Sequence, residues 1–237
     1  MPMYRRTMNE RLRRAALLVA ALAALWLTNV YLGPWVQRVS GFGNIDDPDV
    51  RTVLGHWVFW QGPRVVACGA VWLVGLRLGL MPSLRASLGS GGSWRRVAVS
   101  GLIASVILLA LTIAIVLAVG GELMFQPYVP KMIGDLASNM YEEIVYRGLI
   151  FCAFYGVAAA ATFPLDGKAD RLGLVVATIG SCAVFAAGHT QYPVGLRVML
   201  GVLSILFVYP WVKARSLWAP WIPHTLVDVI GDSILKL

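Results

Sequence analysis

The sequence contains few charged residues. Asp, Glu, Lys and Arg together make up 14% of the 237 residues, whereas 58% are hydrophobic. This composition excludes an ordinary soluble protein and is typical of an integral membrane protein. Spans of about 20 residues joined by short loops would use the whole length, so we expect no separate soluble domain.

Cysteine and histidine are also scarce, with three residues of each. Cys68, Cys152 and Cys182 lie in separate apolar segments without a C-x-x-C pair, and we interpret them as packing residues. The chain contains no His-Glu-x-x-His motif, so a zinc shell of Glu and His would need ligands from separate helices. We therefore expect neither a metal nor a cofactor.

The net charge of +8 comes mainly from basic residues in short segments between apolar runs. Nothing resembles a nucleic-acid-binding module. In membrane proteins, cytoplasmic loops carry an excess of Lys and Arg. The arginine-rich N-terminus is therefore predicted to be cytoplasmic, with the loops near Arg85, Lys168 and Lys213 on the same side. Arginine and alanine are more frequent than lysine, as in proteins that are encoded by GC-rich bacterial genomes. We therefore expect a bacterial protein of the inner (plasma) membrane.

The apolar runs predict an all-α fold, a polytopic transmembrane helix bundle of about seven spans. Residues 1–237 would form a single integral membrane domain, with the N-terminal spans in residues 1–130. The fourth predicted span exceeds the thickness of a bilayer, so part of it should be tilted or broken. The predicted spans are Ala15–Val36, Trp57–Leu80, Val97–Val119, Lys131–Phe163, Leu172–Gly188, Val194–Val212 and Trp218–Leu235.

Three ionisable residues, Glu142, Glu143 and Arg147, lie within six residues of one another in the fourth predicted span. Each costs roughly 2.5 to 3.5 kcal/mol at bilayer depth, so they need partners, water or a function. In a helix, Glu143 and Arg147 would share a face and pair, whereas Glu142 would point elsewhere with Tyr146 as its neighbour one turn on. Glu142 could then serve as a general base, although a purely structural salt-bridge network explains the spacing as well.

Two histidines lie in apolar segments at helical spacing from a possible partner. Phe185 precedes His189 by four residues, so the aromatic ring could wall the pocket that the imidazole faces. We expect Phe185 and Tyr146 to line a substrate pocket. His224 precedes Asp228 by the same interval, which would let the carboxylate hold the imidazole in one tautomer. When each histidine is considered alone, a capping or packing role explains its position as well as a functional role does.

The three motifs, Glu142-Glu143-x-x-x-Arg147, Phe185-x-x-x-His189 and His224-x-x-x-Asp228, resemble those of the CPBP family, the CAAX prenyl protease and bacteriocin-processing group of intramembrane glutamic endopeptidases. The resemblance covers about Met140 to Asp228. It implies a catalytic core in residues 131–237, with spans around a membrane-embedded, water-accessible cavity and no required metal.

The resemblance also implies a role for each motif residue. Glu142, together with His189, would activate water for attack on a peptide carbonyl, and Glu143 and Arg147 would support that geometry. His224 and Asp228 would stabilise the oxyanion. Some family members carry asparagine at the last position. An ionised Asp228 would repel an oxyanion, so Asp228 is either protonated or orients His224.

The leading hypothesis is therefore an intramembrane endopeptidase that cuts a membrane-associated protein or peptide. The expected substrate is a leader peptide, a bacteriocin-type precursor or a C-terminal tail. One alternative is a non-catalytic immunity or scaffold protein of the same fold. Another is a proton-coupled transporter, although the repeated halves common in transporters are not evident here.

Overall fold

The computed structural model describes residues 62–77, 93–125, 129–161, 168–189 and 192–236, with single positions between 16 and 39. Most of the first predicted span and the ends of the second lie outside the described residues. The described elements, in chain order, are α1 (Gly62–Arg77), α2 (Trp94–Ala118), β1 (Glu122–Leu123), α3 (Val129–Glu143), a π-helical segment (Ile144–Ile150), α4 (Phe151–Ala161), α5 (Lys168–Gly188), α6 (Val194–Leu203), α7 (Ile205–Ala214), α8 (Trp218–Ile234) and β2 (Leu235–Lys236).

Within the described part of the chain, three helical stretches are long and apolar enough to cross a membrane: Trp94–Ala118, Arg171–Gly188 and Val194–Ala214. Large apolar side chains such as Val106 and Val198 are exposed on them, as expected for surfaces that face lipid. The prediction of an all-α membrane helix bundle is confirmed.

The fourth predicted span is not a uniform α-helix. The Ile144–Ile150 segment between α3 and α4 is π-helical, and the N–H of Phe151 donates to the carbonyl of Tyr146, five residues earlier. A π-helical turn holds an extra residue, so side chains beyond it are rotated relative to an ideal α-helix. The face on which Glu142 lies is therefore not continued along α4 as it would be in one regular helix.

The sixth predicted span is two helices, because α6 ends at Leu203 and α7 begins at Ile205. At the junction, the hydroxyl of Ser204 donates to the carbonyl of Gly201 at 2.8 Å. Such serine-to-backbone bonds bend helices, and Pro210 within α7 adds a position without an N–H donor.

Helices α2 and α8 pack closely because the contact face of α2 carries small residues. This face includes Ser100, Gly101 and Ala104, all buried. A Cβ atom on Gly101 would lie 3.0 Å from the carbonyl oxygen of Ala219 in α8. Small residues let membrane helices approach to this distance, so Gly101 sets the position of α8.

A short β pair joins the end of α8 to the segment that follows α2. Glu122 lies opposite Lys236, and Leu123 lies opposite Leu235, in antiparallel register. The pair thus connects α8 to α2 a second time, beyond the contact at Gly101.

We predict that Gly101→Leu lowers the thermal stability of the purified protein. The new side chain would meet the α8 backbone and Ile222, and overpacking of this kind costs typically about 1–3 kcal/mol. The matched control is Gly69→Leu in α1, where an added Cβ meets nothing within 4 Å. Thermal unfolding in detergent micelles compares the two, and equal midpoints would contradict the close approach of α2 and α8.

Candidate active site

Polar side chains from four elements meet inside the bundle. Helix α3 supplies Glu142 and Glu143 at its C-terminal end, and the π-helical segment supplies Arg147. His224 comes from α8, and His189 directly follows α5. Residues that the sequence spreads over more than 80 positions therefore share one region of the fold.

Glu143 is the centre of this cluster. Its Oε1 atom lies 2.7 Å from Nδ1 of His224 and 3.3 Å from Nη1 of Arg147. The side chains of Glu143 and Arg147 are 0% and 1% exposed, so both charges are removed from solvent. A buried carboxylate requires such partners, because desolvation would otherwise make its charge very costly.

The other ring nitrogen of His224 faces two further carboxylates. Its Nε2 atom lies 3.7 Å from Oε2 of Glu142 and 3.6 Å from Oδ2 of Asp228. Both distances exceed hydrogen-bond length, so these are charge contacts with room for rearrangement. The side chains of Glu142 and Asp228 are 26% and 38% exposed, which places this side of the ring next to an accessible region.

The expected role of Asp228 in holding the tautomer of His224 falls to Glu143 instead. Because the Glu143 carboxylate is an acceptor, the hydrogen bond requires that Nδ1 of His224 carries the proton. Asp228 contacts the opposite nitrogen, since its position one turn along α8 places it beside Nε2. The i, i+4 spacing correctly placed Asp228 near the ring but could not indicate which nitrogen it faces.

His189 is oriented by the backbone of its own helix. Its Nδ1 lies 2.7 Å from the carbonyl oxygen of Phe185. A carbonyl only accepts, so Nδ1 donates, and in the neutral ring Nε2 then keeps its lone pair. The ring packs against Phe185, with centroids 4.3 Å apart, and is stacked on Tyr192 at 6.2 Å.

Glu142 and His189 are brought to the same region but not into direct contact. Among the described residues, no hydrogen bond or ion pair joins their side chains. They are linked through Phe185, whose ring centroid is 4.3 Å from that of His189 and 5.9 Å from that of His224. His224 in turn contacts Glu142.

Aromatic rings enclose the buried guanidinium. The Cζ atom of Arg147 lies 4.7 Å from the ring centroid of Phe185, 4.9 Å from that of Phe207 and 5.9 Å from that of Tyr146. Cation–π contacts of this kind stabilise a cation that has left water. Phe185 and Tyr146 are predicted to line a substrate pocket, and the contacts that the structure shows for them here are with Arg147.

One contact partner of His224 and one buried polar residue near Glu143 were not predicted from the sequence. Phe207 of α7 stacks on His224 with ring centroids 4.8 Å apart. In the sequence, Phe207 is one apolar residue among others in an apolar helix, so no pattern distinguished it as a site residue. Asn139, one turn before Glu143 on α3, is buried, and its Nδ2 has no hydrogen-bond partner among the described residues. A polar residue four positions before Glu143 was a signal that could have identified Asn139.

The positive charge that balances Glu143 is the guanidinium of Arg147. Within the described residues, no group of three or more His, Cys, Asp and Glu side chains is arranged to hold a metal ion. The carboxylates of this cluster are instead distributed around His224, with Glu143 on one side of the ring and Glu142 and Asp228 on the other.

A family model matches the part of the chain that carries this cluster. Residues 132–230 match the family model of the type II CAAX prenyl endopeptidase Rce1-like proteins. The match includes α3 from its fourth residue, the π-helical segment and all the predicted site residues. No curated protein and no solved structure matches the chain. The resemblance drawn from the three motifs is therefore confirmed, and residues 132–230 of this integral membrane protein are an Rce1-like domain of the CAAX-protease type.

Proposed function

We propose that the protein is a glutamate-dependent intramembrane endopeptidase that hydrolyses a peptide bond in a membrane-associated protein or peptide. The observation that carries this proposal is the environment of Glu142. Its side chain is 26% exposed, while its Oε2 atom is buried and has no hydrogen-bond partner among the described residues. A carboxylate with an unused acceptor oxygen beside an accessible region suits a general base.

In the proposed first step, Glu142 removes a proton from a water molecule while the water oxygen attacks the peptide carbonyl carbon. The unprotonated Nε2 of His189 accepts the second hydrogen bond of that water and orients it. The bond between Nδ1 of His189 and the Phe185 carbonyl supports this role, because it leaves Nε2 available as the acceptor.

The attack converts the carbonyl oxygen into an oxyanion. In the proposal His224 is then an imidazolium, which donates from Nδ1 to Glu143 and from Nε2 to the oxyanion. Glu143 holds the opposite nitrogen at 2.7 Å and so fixes the direction of Nε2. Donors that are already in position are effective at this stage because they need not reorganise. The proton held by Glu142 then passes to the amide nitrogen as the carbon–nitrogen bond breaks, which yields a carboxylic acid and an amine and restores the Glu142 carboxylate. The acid then gives its proton to the amine.

The substrate class follows from the position of the site among apolar helices. A peptide must approach through or along the membrane, which favours a leader peptide, a bacteriocin-type precursor or a C-terminal tail. The matched family is named for prenylated CAAX substrates. In a bacterial host, a substrate without a prenyl group fits this proposal better.

The proposed location is the inner (plasma) membrane of a bacterium, with a cytoplasmic N-terminus. Basic residues support this orientation. Arg95 and Arg96 precede the body of α2, Lys213 and Arg215 flank the end of α7, and Lys168 begins α5. The positive-inside rule assigns these helix ends to the cytoplasm.

We expect Glu142→Gln and His189→Ala each to reduce cleavage by about 10²- to 10⁴-fold, because each change removes part of the water-activating pair. Membrane proteomes of cells that express wild type or variant at equal levels would reveal a precursor that loses a terminus only with wild type. The matched control is Glu122→Gln, which neutralises an exposed glutamate on β1. Processing that is indistinguishable in all four strains would contradict the protease proposal.

We expect Asp228→Asn to retain cleavage within about tenfold of wild type, and Asp228→Leu to fall by a further factor of about 10 to 100. Asparagine keeps a hydrogen-bonding group beside Nε2 of His224, and Glu143 still orients the ring. Initial rates on an identified precursor test this. If Asp228→Asn lowered the rate as much as Asp228→Leu, the negative charge of Asp228 would be the essential feature. The hypothesis that a protonated Asp228 donates a hydrogen bond would then be wrong.

The orientation has a separate test. A fluorescent reporter that folds only in the cytoplasm should be dark when fused after Leu237 and bright when inserted after Arg215, between α7 and α8. An alkaline phosphatase fusion should give the opposite pattern. A bright reporter at the C-terminus would overturn the assigned orientation, whatever the outcome of the cleavage experiments.

A further inference from the structure

A groove of about 550 Å³ lies between α5 and α7, away from the catalytic cluster. Its α7 wall is formed by Ile205, Tyr209 and Val212, and its α5 wall by Leu174 and Thr178. From Ile205 to the end of α7 the groove follows ten residues, about 15 Å at the rise of an α-helix.

Helix α7 has two distinct faces. Phe207, Trp211 and Ala214 are buried in the bundle, and Phe207 contacts His224. Ile205 and Tyr209 are about half exposed and point toward the groove. The groove is therefore separated from the site by the thickness of α7, and its occupant need not be the substrate.

Three cationic side chains lie together at one end of the groove. Arg96 at the start of α2 and Lys213 and Arg215 at the end of α7 all line it, and all three residues are exposed. Among the described side chains, none of the three forms an ion pair, and no carboxylate lines the groove. This end of the groove consequently attracts an anion.

Arg215 is also unusual in its backbone. It adopts a left-handed conformation, with φ 52° and ψ 39°, and its N–H donates to the carbonyl of Trp211 to close α7. This conformation is uncommon for residues other than glycine and asparagine. Arg215 thus places a charged side chain at the C-terminal cap of α7, a position where glycine is more common.

We propose that this groove binds an anionic phospholipid of the surrounding leaflet, with the phosphate at Arg96, Lys213 and Arg215 and an acyl chain along α7. The apolar walls match a hydrocarbon chain, and the cationic end matches the headgroup. A peptide fits less well, because its backbone needs hydrogen-bond partners, and the hydroxyl of Thr178 already donates to the carbonyl of Leu174 at 2.7 Å. Basic pockets between membrane helices are known to hold anionic headgroups.

The experiment measures lipid binding directly and does not depend on the proposed protease activity. The full chain, purified in a neutral detergent, is titrated with dioleoylphosphatidylglycerol or with dioleoylphosphatidylcholine, which has the same chains. Native mass spectrometry counts the bound lipids. We expect one phosphatidylglycerol to be retained at concentrations where phosphatidylcholine is lost.

The test variant is the triple substitution Arg96→Gln, Lys213→Gln and Arg215→Gln. Each lost charge should weaken binding about fivefold, so the triple variant should bind phosphatidylglycerol roughly 100-fold more weakly. The matched control removes three exposed arginines that do not line the groove: Arg77→Gln, Arg95→Gln and Arg171→Gln. If the triple variant does not fold, the neighbouring single changes Arg96→Gln and Arg95→Gln make the same comparison.

A second variant tests the apolar part of the groove. Val212→Trp leaves all charges in place but fills the space beside α7, and it should also weaken phosphatidylglycerol binding. Three results would overturn the proposal: equal retention of the two lipids, equal losses in the test and control variants, or equal binding of glycerol 1-phosphate without acyl chains. If the test and control variants lost the same amount of binding, Arg96, Lys213 and Arg215 would have no specific role in lipid binding, and their role would be limited to the orientation of the protein in the membrane.

Discussion

The buried carboxylate of Glu143 is the interaction on which the rest of the site depends. It lies between the guanidinium of Arg147 and the imidazole of His224, and solvent reaches neither the carboxylate nor the guanidinium. Removing one partner from such a group typically costs about 3–5 kcal/mol, because the remaining charge is left uncompensated in a low-dielectric interior. The pairing therefore constrains α3, the π-helical segment and α8 to one arrangement.

The end of α3 and the π-helical segment present both an accessible and a buried carboxylate within one stretch of chain. Glu142 and Glu143 are adjacent, yet one is partly accessible and the other is fully buried. The π-helical turn that follows places Arg147 beneath Phe185 and Phe207 while it remains in contact with Glu143. Strained or irregular helical turns are frequent at functional sites because they present side chains that a regular helix would turn away.

The helices that build the site also face lipid, and α7 shows how both demands are met. One face of α7 packs Phe207 against His224, and the opposite face exposes Ile205 and Tyr209. A lipid that occupied the outer face would support the position of α7, and through it the packing of Phe207 on the imidazole of His224. In α2, small residues such as Gly101 face α8, while large apolar side chains such as Leu102 and Val106 are exposed on the outer surface.

The sequence by itself determined the membrane class, the all-α fold and the ionisable residues of the cluster, because hydropathy and the cost of charge at bilayer depth are properties of local composition. It also indicated that Glu143 and Arg147 are neighbours, since i, i+4 contacts are local. Only the tertiary structure decided that Glu143, and not Asp228, binds Nδ1 of His224, and that Phe207 stacks on that ring. Contacts between helices depend on packing angles and on the π-helical turn, and neither has a signature in the spacing of residues along one helix.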